Sequence, residues 1–290
     1  MACPLCGCDT SGPSWLGATS YRGSRFDYVQ CRSCGTIFCD PMPSDESLAQ
    51  MYGMGYSESF IVDPNVDDPK EPYRTIEWLS RIGKGTFIDY GCGDGSLLRE
   101  AAKLGWRPYG VELDPEVARR AEGKTGLKVF SDPSALLNEA GSPGDVLHLG
   151  DVIEHLTALD RQMPEILDLL KPGGLLLAQG PLEGNPNLFL SMLRLSRSMR
   201  KRRRYEMAPY HVLLATAAGQ RTFFRRFGLE ELEYSIHQVS WPAPSRLSAA
   251  DFARPRVLGL FAAGRLSQWV SRLFPGKLGN RYYYACRRKA

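Results

Sequence analysis

Two cysteine pairs, a glycine-rich turn flanked by acids, and a late acid–histidine cluster carry residue types and spacings that can do chemistry. Cys3-Pro4-Leu5-Cys6-Gly7 and Cys31-Arg32-Ser33-Cys34-Gly35 repeat one CxxCG pattern. A CxxC turn presents two sulfurs on one side of a tight loop, and zinc prefers four tetrahedral thiolate or imidazole ligands. Gly7 and Gly35 suit a backbone that folds back toward an ion. Cys3, Cys6, Cys31 and Cys34 are therefore expected to form a closed zinc site. By analogy with zinc-finger peptides, such a site contributes about 10 kcal/mol or more to folding. Four protein ligands leave the ion no open position, so its expected role is structural. A redox-active CxxC would explain one pair but not the matched second one. Cys8 and Cys39 lie close enough in the chain to replace a ligand.

The second group is Phe87-Ile88-Asp89-Tyr90-Gly91-Cys92-Gly93-Asp94-Gly95, which reads as a strand running into a tight turn and a helix. Gly91, Gly93 and Gly95 let the backbone bend and approach a ligand with no Cβ in the way. The helix beginning near Ser96 aims its positive end at that ligand. Glu112 ends the next strand, where a carboxylate can accept hydrogen bonds from both hydroxyls of a ribose. A glycine turn with a strand-end acid also fits a dinucleotide dehydrogenase. Here the spacing is GxGxG rather than GxGxxG, and Asp89 lies two residues before the first glycine.

These groups need a frame to position them. A chain of 290 residues can bury a full core, and its length suggests one large domain with a smaller one. The net charge of +4 is mild, so neither a strongly basic nor a strongly acidic partner follows from it. No basic start leads into an apolar stretch, and no run is long enough to span a bilayer. The expected compartment is therefore cytoplasmic, where thiols stay reduced and eight cysteines do not make a disulfide framework. Strands are predicted at 86–90, 107–112, 128–130, 146–150 and 175–179, alternating with helices at 96–104, 115–123, 134–140 and 161–170. That alternation implies a parallel sheet with helices on both faces. Late strands at 229–237 and 281–287 complete it. The predicted fold class is α/β, doubly wound and Rossmann-like, with a seven-stranded, mostly parallel sheet and a small N-terminal zinc ribbon. The expected domains are a ribbon over 1–40, a linker over 41–73 and the α/β domain over 74–290. The linker is rich in proline, with a short helix at 45–52 capped by Ser44, and its Tyr52, Tyr56 and Phe60 would pack over a cofactor or against the main domain.

Four segments in order then carry a resemblance. They are Ile88-Asp89-Tyr90-Gly91-Cys92-Gly93-Asp94-Gly95, Gly110-Val111-Glu112, Asp151-Val152-Ile153-Glu154-His155-Leu156 and Leu170-Lys171-Pro172-Gly173-Gly174. Over roughly residues 74–240 the chain resembles the class I S-adenosylmethionine-dependent methyltransferases, and its cysteine knuckles resemble those of a zinc-ribbon-bearing subgroup. The resemblance implies that Asp89 and the turn Gly91, Cys92, Gly93 and Gly95 hold the methionine moiety and Glu112 the ribose. Tyr90, Leu113 and Gly150 complete the implied cofactor set. Asp132 would face the adenine amino group, or else serve only as a helix N-cap before Pro133.

The methyl group of that cofactor is already activated by its sulfonium, so the enzyme supplies alignment and, for oxygen or nitrogen acceptors, a base. Asp151, Glu154 and His155 follow the fourth predicted strand, and His211 in Pro209-Tyr210-His211 is the second candidate base. The same residues would alternatively bind a divalent ion or serve as structural hydrogen-bonding groups. His148 and His237 fall inside predicted strands and read as core or sheet-edge residues.

Arg194, Arg197, Arg200, Lys201, Arg202, Arg203 and Arg204 crowd a predicted acceptor lid at 181–218 with no acid among them. Such a run suits a phosphate-bearing small molecule, nucleic acid or an anionic membrane surface, or is simply a solvated face. A second insertion at 241–279 has helical spacing in Val257, Phe261, Trp269, Val270 and Leu273. It is expected to pack against the core, with a pocket cap, a dimer surface or a membrane contact as alternatives. The resemblance to the zinc-ribbon-bearing subgroup implies O-methylation of a small biosynthetic intermediate, such as a glycan precursor, a quinone-like phenol or a secondary metabolite. An RNA methyltransferase and a non-catalytic scaffold are the rivals. Against RNA, residues 9–30 of the ribbon contain only Arg22 and Arg25 as basic side chains.

Overall fold

In the computed structural model, which describes residues 1–52, 72–188, 191–192, 209–240 and 243–289, the elements follow in the order set by hydrophobic patterning and capping. Strands β1 (Ser11–Tyr21) and β2 (Ser24–Cys31) form a hairpin. Its two turn residues, Arg22 and Gly23, both have positive φ, the geometry that matches the twist of the flanking strands. Next come β3 (Ile37–Asp40) and helix α1 (Asp45–Tyr52), whose start Ser44 caps by accepting from the Ser47 backbone N–H at 3.1 Å. The α/β part begins with α2 (Pro72–Arg81), β4 (Thr86–Tyr90), α3 (Ser96–Lys103) and β5 (Arg107–Val111). It continues through α4 (Pro115–Thr125), β6 (Val129–Phe130), α5 (Pro133–Ala140), β7 (Gly144–Gly150), α6 (Leu159–Leu167) and β8 (Leu170–Pro181). The last elements are β9 (Leu213–Leu214), α7 (Ala217–Arg226), β10 (Leu229–His237), α8 (Pro255–Leu273) and β11 (Arg281–Arg288).

Local chemistry explains the helix boundaries. Asp114 caps α4 by accepting from Glu116 and Val117, Pro115 opens the first turn, and Gly126 closes the helix in the left-handed region. Asp132, Pro133 and Gly141 repeat this grammar around α5.

The chain divides into two compact units that cut across the expected domain boundaries. The sheet unit comprises Lys70–Gly180, Phe224–Tyr234 and Tyr283–Ala290. It carries a seven-stranded sheet in the order β10-β11-β8-β7-β4-β5-β6. The pairs β4–β5, β4–β7, β5–β6 and β7–β8 are parallel. Every residue of β4 is buried, as both-face coverage of a parallel sheet requires. Phe87, Leu98, Ala101, Leu177, Tyr283 and Ala285 belong to one buried cluster of this unit.

The ribbon unit comprises Met1–Pro69, Pro181–Phe223 and Ser235–Tyr282. Its sheet has four strands in the order β1-β2-β3-β9. The fourth of them comes from the segment after β8. Ile37 pairs with Leu214 and Phe38 with Leu213 in antiparallel register. Ile37, Phe38 and Leu213 are all buried, so this pairing is a small core and not an edge contact.

Helix α8 forms where the late insertion was expected, with part of its apolar face turned to solvent. Its buried side is built from Ala263, Gly264, Ser267 and Ser271, whereas Trp269 and Leu273 are exposed. Leu260 packs against the buried Ala243 and Ala263, and of the five expected apolar positions Val257, Phe261 and Val270 are half-buried while Trp269 and Leu273 are exposed.

Candidate functional site

In the sheet unit, β4 ends in a turn whose three glycines, Gly91, Gly93 and Gly95, all have positive φ (77°, 53° and 73°). A side chain at Gly91 would place its Cβ 2.7 Å from Val152 Cγ2, so backbone conformation and available space both call for glycine. Gly91 and Cys92 donate their backbone N–H groups to the Val111 carbonyl at 2.8 and 3.1 Å, which fastens the turn to the end of β5. One residue on, Glu112 Oε2 accepts from the Gly93 N–H at 3.1 Å and Oε1 from the Asp114 N–H at 3.2 Å. The carboxylate is thus held at the glycine turn, at the carboxyl ends of the strands where open α/β sheets bind ligands. Leu113 is 58% exposed beside it, an apolar platform suited to a flat ring. The side chains of Tyr90 and Cys92 are buried. This cradle fits a nucleoside cofactor: bare backbone, a helix N-terminus, a strand-end acid and an apolar shelf.

Asp89 is buried, and its Oδ1 lies 2.7 Å from Nδ1 of the equally buried His148, its register neighbour on β7. His148 was read from the sequence as a core or edge residue. It is buried, but its ring also sits over Gly150, where an added Cβ would fall 2.7 Å from His148 Cε1. The triple Asp89–His148–Gly150 therefore joins two residues implied as cofactor contacts through one that was not.

Beyond β7, Asp151 adopts φ 55°, one of two non-glycine residues of the described chain in that region. Its N–H donates to the Gln179 carbonyl at 3.1 Å. Residues Ile153–His155 form a 3₁₀ turn that buries Glu154 and places His155 Nε2 3.9 Å from Glu154 Oε1. Asp132 is an exposed N-cap, accepting from the Ser134 N–H at 2.9 Å and the Ser134 hydroxyl at 2.6 Å. Those bonds hold its carboxyl below the ordinary range.

The ribbon unit brings the four predicted thiols together. Cys3 and Cys34 sulfurs are 3.7 Å apart, those of Cys6 and Cys31 3.6 Å, and all four lie within 4.8 Å of one another. A tetrahedron with metal–sulfur bonds of about 2.3 Å has edges of about 3.8 Å, so the spacing fits a tetrahedral ion. Both knuckles use the same turn: Gly7 N–H donates to the Cys3 carbonyl at 2.8 Å, Gly35 N–H to the Cys31 carbonyl at 3.0 Å. The hydrogen bond from Cys3 draws the Cys34 thiol down to about 5, and burial pushes Cys6 up to about 12. Cys8 and Cys39 stand outside the cluster.

The strands and knuckle of this unit also grip the segment that carries His211. Cys39 N–H donates to the Val212 carbonyl at 3.0 Å, and the Tyr28 hydroxyl to the His211 carbonyl at 3.3 Å. Thr216 Oγ1 donates to the Cys34 carbonyl at 2.6 Å. Gly219 packs so tightly under the knuckle that a Cβ would lie 2.2 Å from Thr36 Oγ1 and 3.3 Å from Cys34 Sγ. His211 itself points Nδ1 at Glu183 Oε2, 2.7 Å away. A carboxylate only accepts, so in the neutral ring Nδ1 carries the proton and Nε2 does not. Buried Asn185 fastens the Glu183 loop, donating to the Gly279 carbonyl at 3.0 Å and accepting from the Ala217 N–H at 3.3 Å. Sequence reasoning passed over Glu183; its one signal is an acid two residues after the β8 end in Pro181-Leu182-Glu183. The basic run at 194–204, with Tyr56, Phe60 and Trp241, lies outside the described residues.

Comparison with known proteins agrees with this geometry. A family described as a methyltransferase domain matches residues 68–233, more than half of the chain. The chain is 36% identical over 114 residues to a ribosomal protein L11 methyltransferase of Photobacterium profundum, covering 37% of this chain and 38% of that protein. It is 30% identical over 122 residues to a ubiquinone biosynthesis O-methyltransferase of Brucella anthropi, covering 40% and 44%. The match thus spans about two fifths of the length of these curated relatives. Among solved structures, the Haloferax volcanii methyltransferase complexed with the Trm112 activator aligns with a TM-score of 0.51 at 14% identity, over 84% of this chain and 98% of that one. The [4+2]-cyclase SpnF aligns at 0.50 and 17%, over 86% and 98%. Both show the shared fold alone, and the cyclase shows that the fold admits more than one reaction. With the family match laid over the glycine turn and its strand-end acid, the chain belongs to the methyltransferase-domain family.

Proposed function

We propose that this chain methylates an oxygen of a small biosynthetic intermediate, with a histidine as general base. The observation that carries the reading is the Glu183–His211 pair, a base with its tautomer set by a carboxylate. When bound, S-adenosylmethionine supplies a methyl group activated by its positive sulfur. The chain's own part is to hold and orient. The turn Gly91–Gly95 and Asp89 take the methionine moiety, Glu112 the ribose hydroxyls, and Leu113 and Asp132 flank the adenine. His211 Nε2 accepts the acceptor's hydroxyl proton, and His155 is the alternative base. The name of the Brucella anthropi relative, an O-methyltransferase, supports oxygen as the methylated atom. Cys3, Cys6, Cys31 and Cys34 hold one structural zinc, supported by the tetrahedral spacing of their sulfurs.

A macromolecular acceptor is the second reading. The basic run at 194–204 favours a phosphate-rich partner, and the Photobacterium relative is named for a ribosomal protein. Incubation with methyl-labelled S-adenosylmethionine and fractionated cell extract separates the two. Label in the metabolite fraction supports the small-molecule reading; label in RNA or protein replaces it. Metal analysis of the purified protein is expected to find one zinc per chain, and its absence would remove the zinc assignment.

A further inference from the structure

Helix α8 buries small residues on its inner side and leaves a stripe of large apolar ones exposed. Small and polar residues face inward: Gly264 approaches so closely that an added Cβ would lie 3.1 Å from the Ala243 Cβ. Ser271 Oγ donates to the Leu278 carbonyl at 2.6 Å, and Gln268 Nε2 to Ser240 Oγ at 3.0 Å. Outward stand Leu266, Trp269 and Leu273, at the i, i+3, i+7 spacing of a single stripe. Phe252 before the helix and Phe274 after it extend the exposed apolar surface. Each of these five side chains is 47% or more exposed, Phe252 most of all at 67%.

The same surface is strongly basic. Arg254, Arg256, Arg265, Arg272 and Lys277 are all exposed, and no Asp or Glu occurs anywhere from residue 252 to the last residue. Arg256, Arg272 and Lys277 form no ion pair among the described residues. Arg265 lies over the Phe261 ring at 5.7 Å, a partner that leaves its charge uncancelled. Only Arg254 faces an acid, Asp251, at 3.6 Å.

We infer that α8 and its flanks bind the interface of an anionic lipid bilayer. The aromatic and leucine stripe enters the boundary between headgroups and acyl chains, and the arginines meet lipid phosphates, their stems lying along the apolar surface. The helix does not span: no helix of the described residues is long and apolar enough to cross a membrane. Charge selects this occupant over a second copy of the chain, because a two-fold contact through this face would set five cations against five. The inference is independent of the acceptor and of the base assignment.

The test is flotation of the full-length protein with phosphatidylcholine vesicles, with and without phosphatidylglycerol. Binding is expected only to the anionic vesicles and to fall as salt rises. A triple variant, Leu266→Ser with Trp269→Ser and Leu273→Ser, should lose about tenfold or more in partitioning, since three apolar side chains no longer leave water. Its thermal melting profile by circular dichroism should remain that of the parent, which shows that the unit carrying α8 folds. A gentler variant, Trp269→Phe, should keep vesicle binding but lose the fluorescence quenching that brominated lipid produces in the parent. Failure of the parent to float with anionic vesicles overturns the inference. So does binding that the triple variant retains in full, which would move the contact elsewhere. A concentration-dependent dimer by light scattering, abolished by the triple variant, would also overturn it and assign the face to a second copy.

Discussion

At the end of β5, the Glu112 carboxylate accepts two backbone N–H bonds from the turns on either side of it and is only partly buried. It therefore does two things at once: it tightens the glycine turn and presents acceptor lone pairs at the strand ends. Glu112→Ala should weaken S-adenosylmethionine binding by about 1.5–3 kcal/mol, the value of hydrogen bonds to a charged group. Isothermal titration would show it, and an unchanged dissociation constant would remove Glu112 from the ribose. The histidine pair behaves differently. His211→Ala should lower kcat by about 10²–10⁴, as loss of a general base does, with cofactor affinity kept. Glu183→Gln should lower kcat less, because the histidine remains but its tautomer is no longer set by a carboxylate. Full turnover in the His211 variant would hand the role to His155. At Gly110, an added Cβ would meet Cys92 Sγ at 2.7 Å and Leu98 Cδ1 at 2.9 Å. Gly110→Ala should accordingly cost about 1–3 kcal/mol of stability through overpacking, read as a lower Tm.

Between elements, Asp94 ties the start of α3 to the end of α4. Its Oδ1 accepts from the Ser96 N–H at 3.0 Å, and its Oδ2 pairs with Lys124 Nζ at 2.7 Å. Burial raises its carboxyl, but the bonds from Lys124 and Ser96 outweigh this and bring it down to about 2, from 3.8 when unfolded. A group depressed on folding stabilises above its unfolded value, so this contribution is present near neutrality and is lost as pH falls through about 2. With the side chain 58% exposed, screening limits it to about 1 kcal/mol or less. The Tm difference between parent and Asp94→Asn should therefore be measurable at neutral pH and vanish near the folded value. In the other unit, β9 is two residues long and owes its strand geometry to β3. The segment from His211 to Gly219 hangs on the Tyr28, Cys39 and Cys34 contacts. Stripping metal with a chelator, or substituting Cys31→Ser, should lower the Tm of the ribbon unit and reduce turnover together. Cofactor affinity, which belongs to the sheet unit, should be unaffected. Loss of cofactor binding with turnover would show that the ribbon is needed for the whole fold.

Over the whole molecule, the local signals were the legible ones. Seven strands appear close to their expected positions because alternation, glycine punctuation and helix caps are written within a few residues of each other. The strands at 144–150 and 170–181 only extend the expected 146–150 and 175–179. The helix at 255–273 was legible as a helix but only in part in its facing, since period alone does not say which side meets the protein. The cysteine set was legible because two identical knuckles can satisfy one ion, whatever lies between them. By itself, then, the sequence determined the α/β order, the glycine turn with its acid, and the four-thiolate cluster, all of which rest on short-range geometry or on the valence of a single ion. Tertiary structure alone decided the rest: that β9 joins the ribbon sheet 175 to 177 positions from its register partners, that His148 holds Asp89, and that Glu183 orients His211. Those pairings depend on long-range packing, where the chain's loops and not its local propensities choose which groups meet.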